Sequence, residues 1–256
     1  MERHTWHLFG FRAAVFTVAV ALGACTEKSG EDGANVGVTD ADGQFDGAGP
    51  SDGANAPSDG AIAAIDAFIA ENVDRDNPSW RFTLKRPPRL SFNESANYML
   101  SMETNRGPVK IRLLPDLAPM HVSNAIYLAR LGYYDGNSSH RAMKGFMVQA
   151  GSSNGRGGGS PGYGLKLEAG PTHVYDRPGL LAAARTNDPH SAGSQFFLML
   201  APYAPLNGKY TIYGELANDA KTESMMTLRA MEEVSNPGDG PPRQPIVFEK
   251  FTITVE

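Results

Sequence analysis

The 256-residue chain predicts a mainly β fold: about eight short strands closing into a barrel with a helix over each end, preceded by a helical extension. Three observations carry this expectation. From residue 98 onward, short alternating apolar segments are separated by Gly- and Pro-containing turns. Within the same region the stretches 118–131 and 219–233 repeat apolar residues at helical spacing. No internal repeat of solenoid or propeller period is present.

Taken in order, residues 61–73 place Ile62, Ile65, Phe68 and Ile69 on one helical face, with Asp66 and Glu71 elsewhere and Asp59 as N-cap. Trp80, Phe82 and Leu84 then alternate with Arg81, Thr83 and Lys85, which predicts a strand that Pro87 and Pro88 close. Residues 61–95 are thus an expected extension packed on a main domain, 96–256. Residues 98–103 and 109–113 alternate around Thr104, Asn105, Arg106 and Gly107 and predict a β-hairpin. Pro115 and Pro119 open a helix in which Val122, Ala125, Ile126 and Ala129 recur at intervals of three and four, and Gly132 ends it. Short strands among Gly-rich loops follow. The second helix sets Met225, Leu228 and Met231 on one face, and 246–255 is a final alternating strand.

The first 25 residues read as an export signal of the lipoprotein kind. Arg3 and Arg12 flank the start of an apolar run, 13–22, that is too short to span a bilayer permanently. Gly23 and Ala24 suit a peptidase subsite, so 1–24 would be removed and Cys25, the only cysteine, would be acylated. The alternative is an ordinary cleaved signal with an incidental cysteine; both imply export without a disulfide framework. Thr26 stands where an Asp would favour the inner membrane, so the expected location is the periplasmic face of the outer membrane in a bacterial cell envelope. Residues 26–60 are dominated by Gly, Ala, Asp, Ser, Asn and Pro and carry eight acids and one Lys. Such a stretch cannot build a core, and 25–60 is expected to be a disordered tether reaching on the order of 30 Å. Residues 61–256 carry 20 Lys and Arg against 19 Asp and Glu, a balance that argues against a nucleic-acid partner held by phosphate charge.

Two blocks of the main domain set hydrogen-bonding side chains among large apolar ones. The first holds Ser139, His140 and Arg141, then Phe146, Met147, Val148, Gln149, Ala150 and Gly151; the second holds Gly193, Ser194, Gln195, Phe196 and Phe197. In the family that the full set of motifs resembles, this combination would form a pocket for a proline ring and its flanking amide. Rotation about an X–Pro bond is opposed by amide resonance, with a barrier of about 18–20 kcal/mol. A guanidinium that donates to the prolyl nitrogen favours the twisted form, because the nitrogen lone pair becomes available only when resonance is broken.

Two further motifs flank these blocks: Gly132, Tyr133, Tyr134, Asp135 and Gly136 before them, and Leu206, Asn207, Gly208, Lys209 and Tyr210 through Gly214 after them. Over 96–256 the four motifs, in this order, resemble the cyclophilin-type peptidyl-prolyl cis-trans isomerases. Asn187, Asp188, Pro189, His190 and Ser191 before the second block resemble the bacterial branch. The resemblance implies a closed eight-stranded antiparallel cyclophilin-like barrel capped by two helices, and an isomerase acting on exported proteins without metal or cofactor. Its catalytic residues would be Arg141, Gln149 and Gln195, with Gln149 holding a substrate carbonyl and Gln195 across from it. Phe146, Met147, Phe197 and Leu206 would wall the proline pocket; Ala184, Arg185 and Tyr210 would complete the substrate surface, the first two from a strand that bonds the extended peptide. The implied partners are flexible or unfolded proline-containing chains and, through Cys25, a membrane, with the protein acting as a monomer. Ser139, Pro205 and Tyr210 depart from the family at the rim, and Pro205 implies insensitivity to ciclosporin.

A proline-peptide-binding chaperone module with little turnover is the competing reading. Arg141 argues against it, since holding a proline ring needs the apolar wall but no donor at its nitrogen. Other signals are weaker. The glycines of 155–159 lack the Gly, Lys and Ser or Thr that complete a phosphate loop. His121, His140, His173 and His190 lack the spacing of zinc ligands, and Ser194 is outside any nucleophile elbow.

Overall fold

The computed structural model describes residues 59–256; the signal, Cys25 and most of the acidic tether lie outside them. The chain begins with α1 (Gly60–Asn72). The Asp59 carboxylate accepts the Ala61 amide at 2.9 Å, satisfying one of the free donors of the first turn. Ala61 and Ile65 are buried, while Ile62, Phe68 and Ile69 pack against the same core from its margin.

The strand expected at 80–85 does not form. Trp80–Phe82 is a single 3-10 turn, and 83–91 runs without ladder pairing. Leu84, Pro87 and Leu90 are the buried positions of this run. Pro87 and Pro88 fix φ and remove backbone donors, and the stretch buries every third residue instead of alternating with the two-residue period of a strand. It is held by other means: the Leu84 amide donates to the Pro161 carbonyl at 2.8 Å, and the Tyr133 hydroxyl donates to the Arg81 carbonyl at 3.2 Å.

β1 (Tyr98–Thr104) and β2 (Val109–Leu113) form the expected antiparallel hairpin, with Met102 opposite Val109. Gly107 turns it at φ 119°, and a Cβ there would lie 2.5 Å from the Thr227 hydroxyl. α2 (Pro119–Arg130) starts on Pro119 and has no local side-chain cap. Glu168 supplies one from 48 residues away, accepting the Met120 amide at 3.0 Å and the His121 amide at 2.9 Å. His121 through Ala129 are all buried, although the expected apolar stripe covered one face. The extension accounts for the rest: α1 packs on α2, with Phe68 edge-on to Tyr127 at 5.6 Å and Asp66 paired with Arg130 at 2.6 Å.

The remaining elements are β3 (Asn137–Ser138), β4 (Arg141–Met143), β5 (Met147–Ala150), β6 (Leu180–Ala183), β7 (Phe196–Met199), β8 (Ile212–Leu216), α3 (Lys221–Val234) and β9 (Val247–Val255). They form one curled sheet of nine segments in the order β3-β9-β1-β2-β8-β6-β7-β5-β4. β3 pairs with β9 and β4 with β5, and Ser139 and His140 are all that separate β3 from β4. The two segments are halves of one bent strand, and counting them together recovers the eight-stranded barrel. The outer edge of β4 is covered by the loop after α3. Ala142 donates to the Gly240 carbonyl at 2.9 Å, Asn236 to the Ala142 carbonyl at 2.8 Å and Lys144 to the Asn236 carbonyl at 2.8 Å.

Inside the barrel Tyr98, Leu100, Met102, Ile111, Val148, Leu181, Leu198 and Phe248 belong to the main core. Met147, Leu180, Ala182, Phe197 and Met199 belong to a second, smaller cluster. Successive residues of a strand point to opposite faces, so the apolar runs of β5, β6 and β7 are buried on both sides.

Candidate active site

The second cluster is built on a row of facing residues. Arg141 on β4 lies opposite Gln149 on β5, Gln149 opposite Phe197 on β7, and Phe197 opposite Ala182 on β6. Residues paired across strands share a face, so the sheet sets the guanidinium, an amide and an aromatic ring side by side. One pair along, Met143, Met147 and Met199 form a parallel row on that face.

The polar members are linked. Arg141 Nη1 donates to Gln149 Oε1 at 3.3 Å, Gln149 Nε2 to Gln195 Oε1 at 2.9 Å, and Gln195 Nε2 to the Gly157 carbonyl at 3.1 Å. Gly157, at φ 90°, sits against His140, and a Cβ there would lie 2.8 Å from its ring. The glycine-rich segment 155–159 therefore reaches the chain of amides. His140 is not a member of that chain. Burial, and then the charge of Arg141, push its imidazole below its usual range.

The apolar members meet as well. Met147, Ala184 and Phe197 are buried in the second cluster, and Phe146, Leu206 and Tyr210 pack on it. Phe146 lies against Tyr203 at 4.6 Å, and Phe197 touches Tyr175 at 6.1 Å and, edge-on, Tyr210 at 6.0 Å. Arg185 lies over the Tyr210 ring at 4.4 Å and donates to the Lys209 carbonyl, so its cation is held at the margin of the cluster. The Ala184 amide donates to the Gln195 carbonyl at 3.0 Å. Pro205 is exposed in a 3-10 turn, Ala204–Leu206. A polar hollow of about 260 Å³ lined by Arg81, Tyr133, Asp135 and Ser153 shares no residue with this cluster.

Sequence reasoning missed Asp239. Its carboxylate accepts from Arg141 Nε at 2.5 Å and Nη2 at 3.0 Å, and that hydrogen bonding holds it below the usual carboxylate range. The two residues are 98 positions apart, and Asn236, Pro237, Gly238 and Gly240 around Asp239 read as turn residues. Met143, whose sulfur lies 3.3 Å from Arg141 Nη2, had a signal: it is two residues from Arg141 and so on the same strand face. Tyr175 and Tyr203 come from loops and had none. Among the described residues no cluster of His, Cys, Asp and Glu could hold a metal ion.

A family model described as "Cyclophilin type peptidyl-prolyl cis-trans isomerase/CLD" matches residues 99–253. Peptidyl-prolyl cis-trans isomerase A of Mycobacterium tuberculosis is 35% identical over 169 residues, covering 60% of this chain and 91% of its own. Peptidyl-prolyl cis-trans isomerase B of Streptomyces anulatus is 37% identical over 170 residues, covering 60% of this chain and 94% of its own. A crystal structure of a Cryptosporidium parvum cyclophilin-type isomerase, in the presence of the dipeptide Ala-Pro, aligns with TM-score 0.55 and 30% identity, over 61% of this chain and 98% of that one. The matched segment begins within β1, so α1 and the 80–95 stretch lie outside the family model.

Proposed function

The chain belongs to the cyclophilin-type peptidyl-prolyl cis-trans isomerase family, and from that premise we propose that Arg141 is the group that lowers the rotational barrier. The observation that carries this reading is the row in which Arg141, Gln149 and Phe197 face one another on three adjacent strands. A proline ring seated on Phe197, Met147 and Phe146 brings its nitrogen toward the guanidinium. As the amide twists, resonance is lost and the nitrogen gains a lone pair, which accepts a hydrogen bond from Nη1. The bond forms only in the twisted state, so it lowers the barrier instead of merely tightening binding. Gln149 is held on both sides by Arg141 and Gln195, and its amide is thereby oriented to meet a carbonyl of the substrate. The apolar wall keeps water from competing for the donor.

The test is NMR exchange on a short X–Pro peptide. Arg141→Ala is expected to lower kcat/KM by a factor on the order of 10² to 10³, the range for losing a donor aimed at a transition state, with the domain still folded. Near-full activity of that variant would remove Arg141 from the mechanism.

We also read the substrates as exported, flexible proline-containing chains met at a bacterial membrane surface, with Cys25 as the lipid anchor. Support comes from the sequence of 1–25, which lies outside the described residues. Stable anchoring needs more than one acyl chain, which a lipoprotein cysteine receives. Metabolic labelling with a clickable palmitate should mark the parent chain and spare Cys25→Ser; an unlabelled parent would discard the anchor.

A further inference from the structure

A long, flexible arginine would ordinarily sample many rotamers, yet Arg141 is held from two directions. Nε and Nη2 both donate to the Asp239 carboxylate, a bidentate arrangement that fixes the plane of the guanidinium as well as its place. Nη1 donates to Gln149, whose strand partner is Phe197, and has one further hydrogen to donate. From these contacts we infer that Asp239 is a positioning residue for the isomerisation, clamping Arg141 so that Nη1 faces the bound X–Pro bond. The inference rests on the reading of Arg141 as the donor.

The acid is more than a chance surface partner. Its side chain is 57% exposed, and exposed ion pairs contribute little to stability, so folding alone gives no reason for the contact. The backbone around it is nonetheless built into the site. Asn236 and Gly240, on either side of Asp239, bond to Ala142 and Lys144 of β4 and the turn that follows it, next to Arg141 on the same strand. The Asn236 side chain also accepts the Gly238 amide at 3.0 Å. Carboxylate and guanidinium are thus presented from two backbone segments hydrogen-bonded to each other, a second support for a catalytic group of the kind that keeps it within reach of its productive geometry. Small displacements of such a group are costly in rate.

The experiment compares Asp239→Asn with the parent in the full chain, by NMR exchange and by the 15N-resolved Nε–H resonance of Arg141. Expected is a fall in kcat of roughly three- to tenfold with little change in KM, and a shifted or exchange-broadened Nε–H signal. Asp219→Asn, which breaks the surface pair of Asp219 with Lys110 at 2.7 Å, serves as the control and should match the parent. In an Arg141→Ala background, at enzyme concentrations where residual turnover is measurable, Asp239→Asn should have no further effect. Parent-like activity with an unmoved Nε–H resonance would overturn the inference. So would an equal loss on both backgrounds, since Asp239 would then act without Arg141. If Arg141→Ala itself kept full activity, the reading of the donor would fall, an outcome separable from the failure of the clamp.

Discussion

β5, β6 and β7 have two faces, both apolar and both largely buried, and they answer to different demands. Toward the barrel axis Val148, Leu181 and Leu198 meet the helices and the far strands, each fully enclosed. On the outer side Met147, Ala182 and Phe197 meet aromatic residues delivered by loops, and Arg141, Gln149 and Gln195 border them. The inner face is closed by regular elements. The outer face is closed by Tyr175, Tyr203 and Tyr210, which stand outside the strands. Alternate residues of one strand thus face the main core and the proposed pocket, with neighbouring positions in the chain separated by the thickness of the sheet.

Substitutions at adjacent positions should separate the two. The largest effect is expected on the inner face: Leu198→Ala should cost about 2–5 kcal/mol of unfolding free energy, while kcat/KM per folded molecule stays near the parent value. Chemical denaturation combined with an activity titration measures both, and a loss of turnover in the folded fraction would mean that the faces are coupled. Next comes Arg141→Ala, whose loss of turnover should arrive without a comparable loss of stability. A drop of its denaturation midpoint like that of Leu198→Ala would place Arg141 among the residues that hold the fold. The smallest effect is expected for Phe197→Leu. It keeps an apolar group of lesser size and should cost about 1–2 kcal/mol of stability, yet raise KM by about tenfold, within the 1–3 kcal/mol by which an apolar pocket discriminates. An unchanged KM would show that the ring is core and not wall.

Much of the fold was legible because periodicity fixed it. The hairpin 98–113, α2, α3 and β9 lie within about two residues of their expected bounds, since each has one dominant apolar face. The 80–85 stretch misled because Trp80, Phe82 and Leu84 mimic a strand for three positions, whereas the prolines downstream impose a period of three. The bend that splits β3 from β4 left no local mark. For the candidate site, Arg141, Gln149, Gln195, Phe146, Met147 and Phe197 could be named together because four short motifs preserve their order, and the fold brings them to one place. Asp239 was not, because its contact is made by a turn folded back on the edge of β4, and a turn sequence names a bend but not what the bend is laid against. Arg185 was expected on a substrate surface; what the fold shows is its hold on Tyr210, which depends on a loop crossing that the sequence does not announce.

The covering of β4 by 236–240 has a consequence for what happens after the bond has turned. An uncovered strand edge offers its free amides and carbonyls to any extended chain, and such pairing is how unfolded polypeptides are captured by strand addition or drawn into aggregates. Here Ala142 and Lys144 already spend their outward groups on Gly240 and Asn236, and the edge next to the pocket is closed. A polypeptide brought to the pocket therefore finds no free edge of β4 to extend along. Its contacts are then limited to the side chains of the cluster, and this edge does not become a seed for strand assembly.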